Sequence, residues 1–185
     1  MAALSPRVPA TAAGRRSAEV AVRARPRFEI RRMRADDLDE VMEIERAAFR
    51  HPWSAELFRR ELEHDWSTIL ICIEPLTSAA GGRASERIAG FLIYWLVHDE
   101  VHILNVATDP QHRRRGIAKF LMSETERRAL QAGATLMTLE VRRSNVAALE
   151  LYRGFDYRAV GVRPNYYVDE GEDAIVMVKE LRRFR

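Results

Sequence analysis

Cysteine is nearly absent: Cys72 is the only one in 185 residues. No intrachain disulfide can form, and a thiolate metal cluster is excluded. Cys72 falls in the apolar run Thr68 to Ile73, the setting of a packed core thiol. A reducing compartment fits, and the expected location is the cytoplasm. Lysine is almost as scarce. Only Lys119 and Lys179 stand among the 30 basic residues, and the formal net charge is +3. That excess is too small to argue for general nucleic-acid binding. Long apolar runs are missing too. The longest, Ile88 to Val97, spans about half of the roughly 20 residues that a membrane crossing needs. No continuous apolar stretch marks a secretory signal. The five histidines (His51, His64, His98, His102, His112) show no metal-ligand spacing, and HExxH is absent. They read as structural or surface residues, and no metal is expected.

What is present is a soluble composition, 47% hydrophobic and 31% charged, in a length that favours one domain. Residues 1–27 are Ala, Pro and Arg with a single acid, Glu19. The segment reads as a disordered tail; an organellar transit peptide is the alternative. Residues 28–185 form the expected domain. Phe28 to Met33 reads as a strand. A helix opens at Asp36-Asp37, with Leu38, Val41, Met42, Ala48 and Phe49 at helical spacing. His51-Pro52-Trp53 ends it, and Ser54 caps a second helix to about Glu63. Ser67 to Glu74 is a strand, and Thr77 to Glu86 a hairpin loop. Arg87 to His98 is apolar on both faces, with Ile88, Leu92, Tyr94 and Leu96 on one side and Phe91, Ile93, Trp95 and Val97 on the other. Such a strand belongs in the middle of a covered sheet. Val101 to Ala107 is a strand, Gly116 to Ala132 a helix stopped by Gly133, and Leu136 to Val141 a strand. Asn145 caps a short helix to Arg153. Strands follow around Tyr157 to Val162 and Ala174 to Lys179. The order β-α-α-β-β-β-α-β-α-β-β implies an α/β layer protein, a mixed sheet with helices on both faces.

One stretch carries chemistry: Asn105 to Phe120, NVATDPQHRRRGIAKF. A strand leads into Asp109-Pro110, three arginines, Gly116-x-Ala118 and an amphipathic helix. Small residues at the start of a helix let a ligand approach the backbone, where free N–H groups and the helix dipole suit phosphate. The spacing is neither GxxxxGK[ST] nor GxGxxG. A solvated basic turn is the plain alternative for this motif alone.

Here the chain resembles the GNAT acetyltransferases, whose cofactor signature [RQ]-x-x-G-x-[GA] stands as Arg113-Arg114-Arg115-Gly116-Ile117-Ala118. The resemblance covers about Phe28 to Leu181. The second half looks most like the ribosomal-protein-alanine N-acetyltransferases: Leu139-Glu140-Val141-Arg142 with Ser144-Asn145, then Leu151-Tyr152, Asn165-Tyr166-Tyr167 and Glu172-Asp173-Ala174, preceded by His51-Pro52-Trp53-Ser54. The resemblance implies a mostly antiparallel central sheet and acetyl-CoA as the acetyl donor. It implies that Val106, Ala107 and Thr108 pair with the pantetheine arm, that Arg113 to Lys119 hold the pyrophosphate, and that Asn145 touches the cofactor. Glu140 corresponds to the general base and Tyr152 to the general acid. The acceptor would be a protein N-terminus, that of a ribosomal protein, with Tyr166-Tyr167, between strands, bordering its channel. One departure stands out: aligned without a gap, Asp156-Tyr157 occupy the family's usual Gly-Phe after the tyrosine, and Asp tolerates the left-handed conformation less well than Gly.

The residues speak for themselves as well. Met137, Leu139 and Val141 share one strand face, so Glu140 points to the other. Asn145, Leu149 and Tyr152 share a helix face. Making an amide from an ammonium and a thioester needs a proton removed from the amine and one supplied to the thiolate, and a glutamate and a tyrosine meet both needs. In isolation, Glu140 reads first as a strand-end ion-pair partner for a neighbouring arginine and Tyr152 as a core residue; the loop beside them reverses both readings. Acetylation of a lysine or a small amine, acyl-CoA sensing without turnover, and nucleic-acid binding remain as weaker readings.

Overall fold

The computed structural model describes residues 28–76 and 85–181. The expected tail and the tip of the expected hairpin loop lie outside them. The chain opens with β1 (Glu29–Arg32), a single 3-10 turn (Ala35–Asp37), α1 (Leu38–Ala48) and α2 (Ala55–Glu63). Ser54 caps α2 by accepting from the Leu57 N–H. Then come β2 (Ser67–Leu76), β3 (Ser85–Val97), β4 (Glu100–Thr108), a 3-10 turn (Pro110–His112) and α3 (Ile117–Ala132). The chain continues with β5 (Leu136–Arg142), α4 (Val146–Arg153), β6 (Arg158–Tyr167) and β7 (Glu172–Glu180).

The seven strands make one sheet in the order β1-β2-β3-β4-β5-β7-β6. Every neighbouring pair is antiparallel except β4 and β5, which run parallel. Two apolar layers cover the sheet. One joins Val41, Met42 and Ile44 of α1 and Phe58 of α2 to Ile69, Ile71, Phe91 and Ile93. The other joins Ile117, Leu121 and Met122 of α3 and Leu149 and Tyr152 of α4 to Leu92, Met137, Leu139 and Val141. β3 lies between β2 and β4 and is buried on both faces, as its two-sided apolar pattern demands. Cys72 is fully buried in the second layer.

Two irregularities correct the strand faces expected from simple alternation. Cys72 pairs with Gly90 but Ile73 pairs with Ile88, so Ala89 is an extra residue. The phase of β3 slips there: Ala89 joins Leu92 and Tyr94, while Ile88 joins Phe91 and Ile93. On the other edge of β3, Ile93 pairs with Asn105 but Tyr94 with Ile103, leaving Leu104 of β4 extra. A third correction concerns Tyr166 and Tyr167, which end β6 and do not lie between strands. At the end of α4, Asp156 takes a φ of 65°, the left-handed turn that the ungapped placement requires of it.

Candidate active site

The site begins as a missing strand partner. β4 and β5 pair only over Glu100–Ile103 and Leu136–Leu139. Past Ile103 comes the extra residue Leu104, which bends β4 away. Among the described residues no strand then pairs with β4 on that side. Between the parted strands opens a cleft of about 660 Å3. Its walls include Leu104, Asn105 and Val106 from β4, Glu140 and Arg142 from β5, and Asn145 and Tyr152 from the α4 region. Of the residues singled out in the sequence, Val106, Glu140, Asn145, Tyr152 and Tyr167 meet here. Ala107 faces the α1–α2 core instead, so what it can offer a ligand is its backbone. Tyr166 is absent from these walls and 46% exposed.

β4 leads through Asp109, whose side chain accepts from the Gln111 N–H, to the start of α3. Among the described residues no side chain caps α3; its N-cap is Gly116, at φ 85°. A Cβ built on Gly116 would meet nothing within 4 Å among the described residues, which leave the space beside the backbone open. The N–H groups of Ile117, Ala118 and Lys119 are the first of the helix and have no intrahelical acceptor. An anion placed there gains from them and from the helix dipole. The side chains divide the work unevenly. Ile117 is buried in the core. Arg115 is taken by Glu74 at 2.6 Å and lies over the Phe28 ring. The same Glu74 oxygen pair also meets His112, buried between Glu74 at 2.9 Å and Asp109 at 2.8 Å. Hydrogen bonds from Arg115 and His112 hold the Glu74 carboxyl below the usual range. Arg113 and Arg114 are exposed, Arg114 at φ 63°. Arg115 and Ile117 thus brace the loop, and only their N–H groups are left for a ligand.

Met137, Leu139 and Val141 are buried against α3 and α4, and Glu140 turns to the α1 side of the sheet. Arg163 reaches it from β6 at 3.0 Å. Both readings of Glu140 are therefore present at once: it lines the cleft, and it has an ion-pair partner. Tyr152 approaches from the α4 side. Burial pushes its hydroxyl up to about 12, with a smaller contribution from Tyr167. At neutral pH it keeps its proton and can donate. Asn145 spends its side-chain oxygen on the Ala148 N–H as the cap of α4, which leaves its amide group for the cleft.

Of the opposite wall, the sequence marked only His51 and Trp53, in the His51-Pro52-Trp53-Ser54 motif and without a role. Glu45, Arg50, His51 and Trp53 come from α1 and the α1–α2 connection, and Asp169 and Glu170 from the β6–β7 turn. Contacts cross the mouth of the cleft: Glu170 makes ion pairs with Arg142 at 2.6 Å and Arg50 at 3.4 Å, and lies 3.5 Å from the His51 ring. The Arg142 guanidinium lies 3.9 Å over the Tyr167 ring. Among the described residues no three His, Cys, Asp or Glu side chains group as a metal site, and no described helix is long and apolar enough to cross a membrane.

Comparison with known proteins gives this geometry a context. Residues 38–157 match the acetyltransferase (GNAT) family. The ribosomal protein bS18-alanine N-acetyltransferase of Salmonella typhimurium is 32% identical over 143 residues, 76% of this chain and 89% of that protein. Its Escherichia coli counterpart is 30% identical over the same span. The crystal structure of the Escherichia coli ribosomal-protein-S18-alanine N-acetyltransferase superposes with a TM-score of 0.73 at 28% identity, covering 86% of this chain and 97% of that one. Arabidopsis thaliana NAA60, solved with a bisubstrate analogue, shares the fold at a TM-score of 0.72 and 20% identity, over 84% of this chain and all of that one.

Proposed function

Because the chain belongs to the acetyltransferase (GNAT) family, we propose that it moves the acetyl group of acetyl-CoA to the α-amine of a protein N-terminus. The acceptor we infer is the N-terminal alanine of ribosomal protein bS18, which its relatives are named for. That reaction belongs in the cytoplasm. Residues 28–185 act as the acetyltransferase domain. The observation that carries the reading is the parting of β4 and β5, which sets Glu140 and Tyr152 around one cleft beside an unpaired strand edge.

In this reading the donor's pantetheine arm takes the place of a strand beside Val106, Ala107 and Thr108. Its pyrophosphate rests on the N–H groups from Arg113 to Lys119, with Gly116 giving the clearance. Asn145 offers its amide to the donor. The acceptor enters past Tyr167, with Tyr166 beside it at the rim. Glu140 takes a proton from the ammonium, directly or through a water. The freed lone pair attacks the thioester carbonyl carbon; the C–N bond forms and the C–S bond breaks. The attacking nitrogen sheds its second proton as the amide forms, and the leaving thiolate, met by the Tyr152 hydroxyl, takes one up as CoA-SH. An α-amine titrates near 8, against about 10.4 for lysine, and so yields its proton more readily. No metal takes part.

The test is intact-mass analysis after incubation with acetyl-CoA and one of three acceptors. These are a peptide that begins with the bS18 alanine, the same peptide with its α-amine blocked and a lysine added, and a small primary amine. One added acetyl on the first peptide alone is the expected result. Acetylation of the blocked peptide or the small amine in preference would refute the acceptor assignment, and no turnover on any would favour a sensor of acyl-CoA.

A further inference from the structure

One carboxylate in the cleft has no cation. Glu45, on α1, is 1% exposed. One of its oxygens accepts from the Trp53 N–H at 2.8 Å, the other from the Asn105 side-chain amide at 3.0 Å. Both donors are neutral. The remaining carboxylates of the cleft are paired or open to water: Glu140 meets Arg163, Glu170 meets Arg142 and Arg50, and the Asp169 side chain is 64% exposed. No such partner reaches Glu45 among the described residues. Burial raises its carboxyl above the ordinary range against the pull of the two hydrogen bonds, and no charged neighbour contributes.

A buried, unpaired carboxylate is unfavourable, and a neutral side chain could do its structural work. Glutamine at this place would accept from Trp53 through its oxygen, and Asn105 could turn its amide over to accept from the new NH2 group. The negative charge is therefore surplus to the fold. What it suits is a cation from outside. Glu45 and Asn105 lie on the α1 side of the sheet, the side to which Glu140 turns, and all three line the same cleft.

We propose that Glu45 is the anionic seat for the acceptor's ammonium group. Asn105 is a positioning residue that orients the carboxylate. The charged amine settles against Glu45 first, and Glu140 then takes its proton. This rests on the acceptor being an amine, as proposed above.

The test is a calorimetric titration of enzyme saturated with CoA. Two ligands are compared: a peptide beginning with alanine, and the same peptide with a hydroxyl in place of its α-amine. Wild type should bind the amine at least tenfold more tightly at pH 7, and the preference should shrink by pH 9.5, where the amine is neutral. Glu45→Gln should reduce the preference to within about twofold, leaving the affinity for CoA and for the hydroxy peptide unchanged. Its resistance to denaturant should equal or exceed wild type, because a buried charge has been removed; a purely structural role would lower it and leave the preference intact. Asn105→Ala should give an intermediate preference. A folded Glu45→Gln that discriminates like wild type overturns the seat. A wild type that acetylates the peptide without preferring its amine in this titration also overturns the seat while the acceptor reading stands. A wild type that acetylates no α-amine overturns both.

Discussion

Glu140 and Tyr152 differ in how completely each must part with or gain a proton, and their variants should differ accordingly. Glu140→Gln keeps the shape and loses the base, so kcat should fall by about 10² to 10⁴ at neutral pH. Acetyl-CoA affinity measured by calorimetry should stay near wild type, and the defect should narrow at high pH. Tyr152→Phe should cost less. A hydroxyl raised to about 12 gives up its proton reluctantly, so much of its service is a hydrogen bond to the departing sulfur, which water can partly replace. Equal losses in single-turnover rate would contradict that division. Tyr157 supplies a third case. Its hydroxyl is buried and has no hydrogen-bond partner among the described residues. Tyr157→Phe should leave stability unchanged or raise it by up to about 1 kcal/mol, since an unsatisfied buried group is removed; a clear drop in the denaturation midpoint would reveal a hidden partner. Glu140, Asn145 and Tyr152 were singled out by the resemblance, and strand alternation and helical spacing gave the faces that bring them to the cleft. Glu45 was missed although a signal existed: it lies among Leu38, Val41, Met42, Ala48 and Phe49 on the apolar stripe of α1, where a charge is out of place. Spacing alone does not say which stripe residue meets a cleft.

At the level of elements, the start of α3 joins fold to chemistry. Gly116→Asp should abolish measurable acetyl-CoA binding or weaken it at least tenfold, because a carboxylate would face the pyrophosphate and a side chain would enter at φ 85°. Normal binding by a folded variant would undo the cradle assignment. Gly90 is tighter still. A Cβ there would stand 2.6 Å from the Ala107 carbonyl oxygen and 2.8 Å from a methyl of Ile117. Gly90→Ala should therefore destabilise the protein by about 1–3 kcal/mol, read as a lower denaturation midpoint, by pushing β4 and the first turn of α3 apart. An unchanged midpoint would mean that both neighbours give way freely. Helix limits were readable because their caps are chemical: Ser54, Asn145 and Gly133 stop or start the helices where expected. The extra residues Ala89 and Leu104 were not readable, since each keeps an apolar residue in an apolar run and reveals its slip only against a partner strand. β6 was read too short for a related reason: nine of its ten residues are exposed, so no alternation marks its length.

For the molecule as a whole, alkali should be the sharper threat. Burial raises Tyr152, Tyr167 and Cys72 to about 12 and pushes Tyr157 higher still. Their neutral forms are favoured by folding, so the stability they confer is complete below the ordinary values, 9.0 for the thiol and 10.0 for the phenols. It is lost as pH climbs through the folded values. Each group contributes a slope of about 1.4 kcal/mol per pH unit in that window. Thermal melts should hold level to about pH 9 and fall steeply from 10 to 12, less steeply in Tyr157→Phe; a melting temperature constant to pH 11.5 would contradict the burial of these groups. Fold class and the order of elements along the chain followed from the sequence because apolar periodicity and caps are local; the placing of β7 between β5 and β6 did not. The parting of β4 from β5 did not, because it depends on where two distant segments stop touching. That parting leaves the sheet as two panels, β1 to β4 and β5 to β7, joined across their seam by four residue pairs. A donor lying along the free edge of β4 would stitch the seam shut. The amides of residues 104–108 should then exchange their hydrogens with solvent more slowly in the liganded protein, and so should those of β5 across the gap: the substrate serves, while it is bound, as an eighth strand.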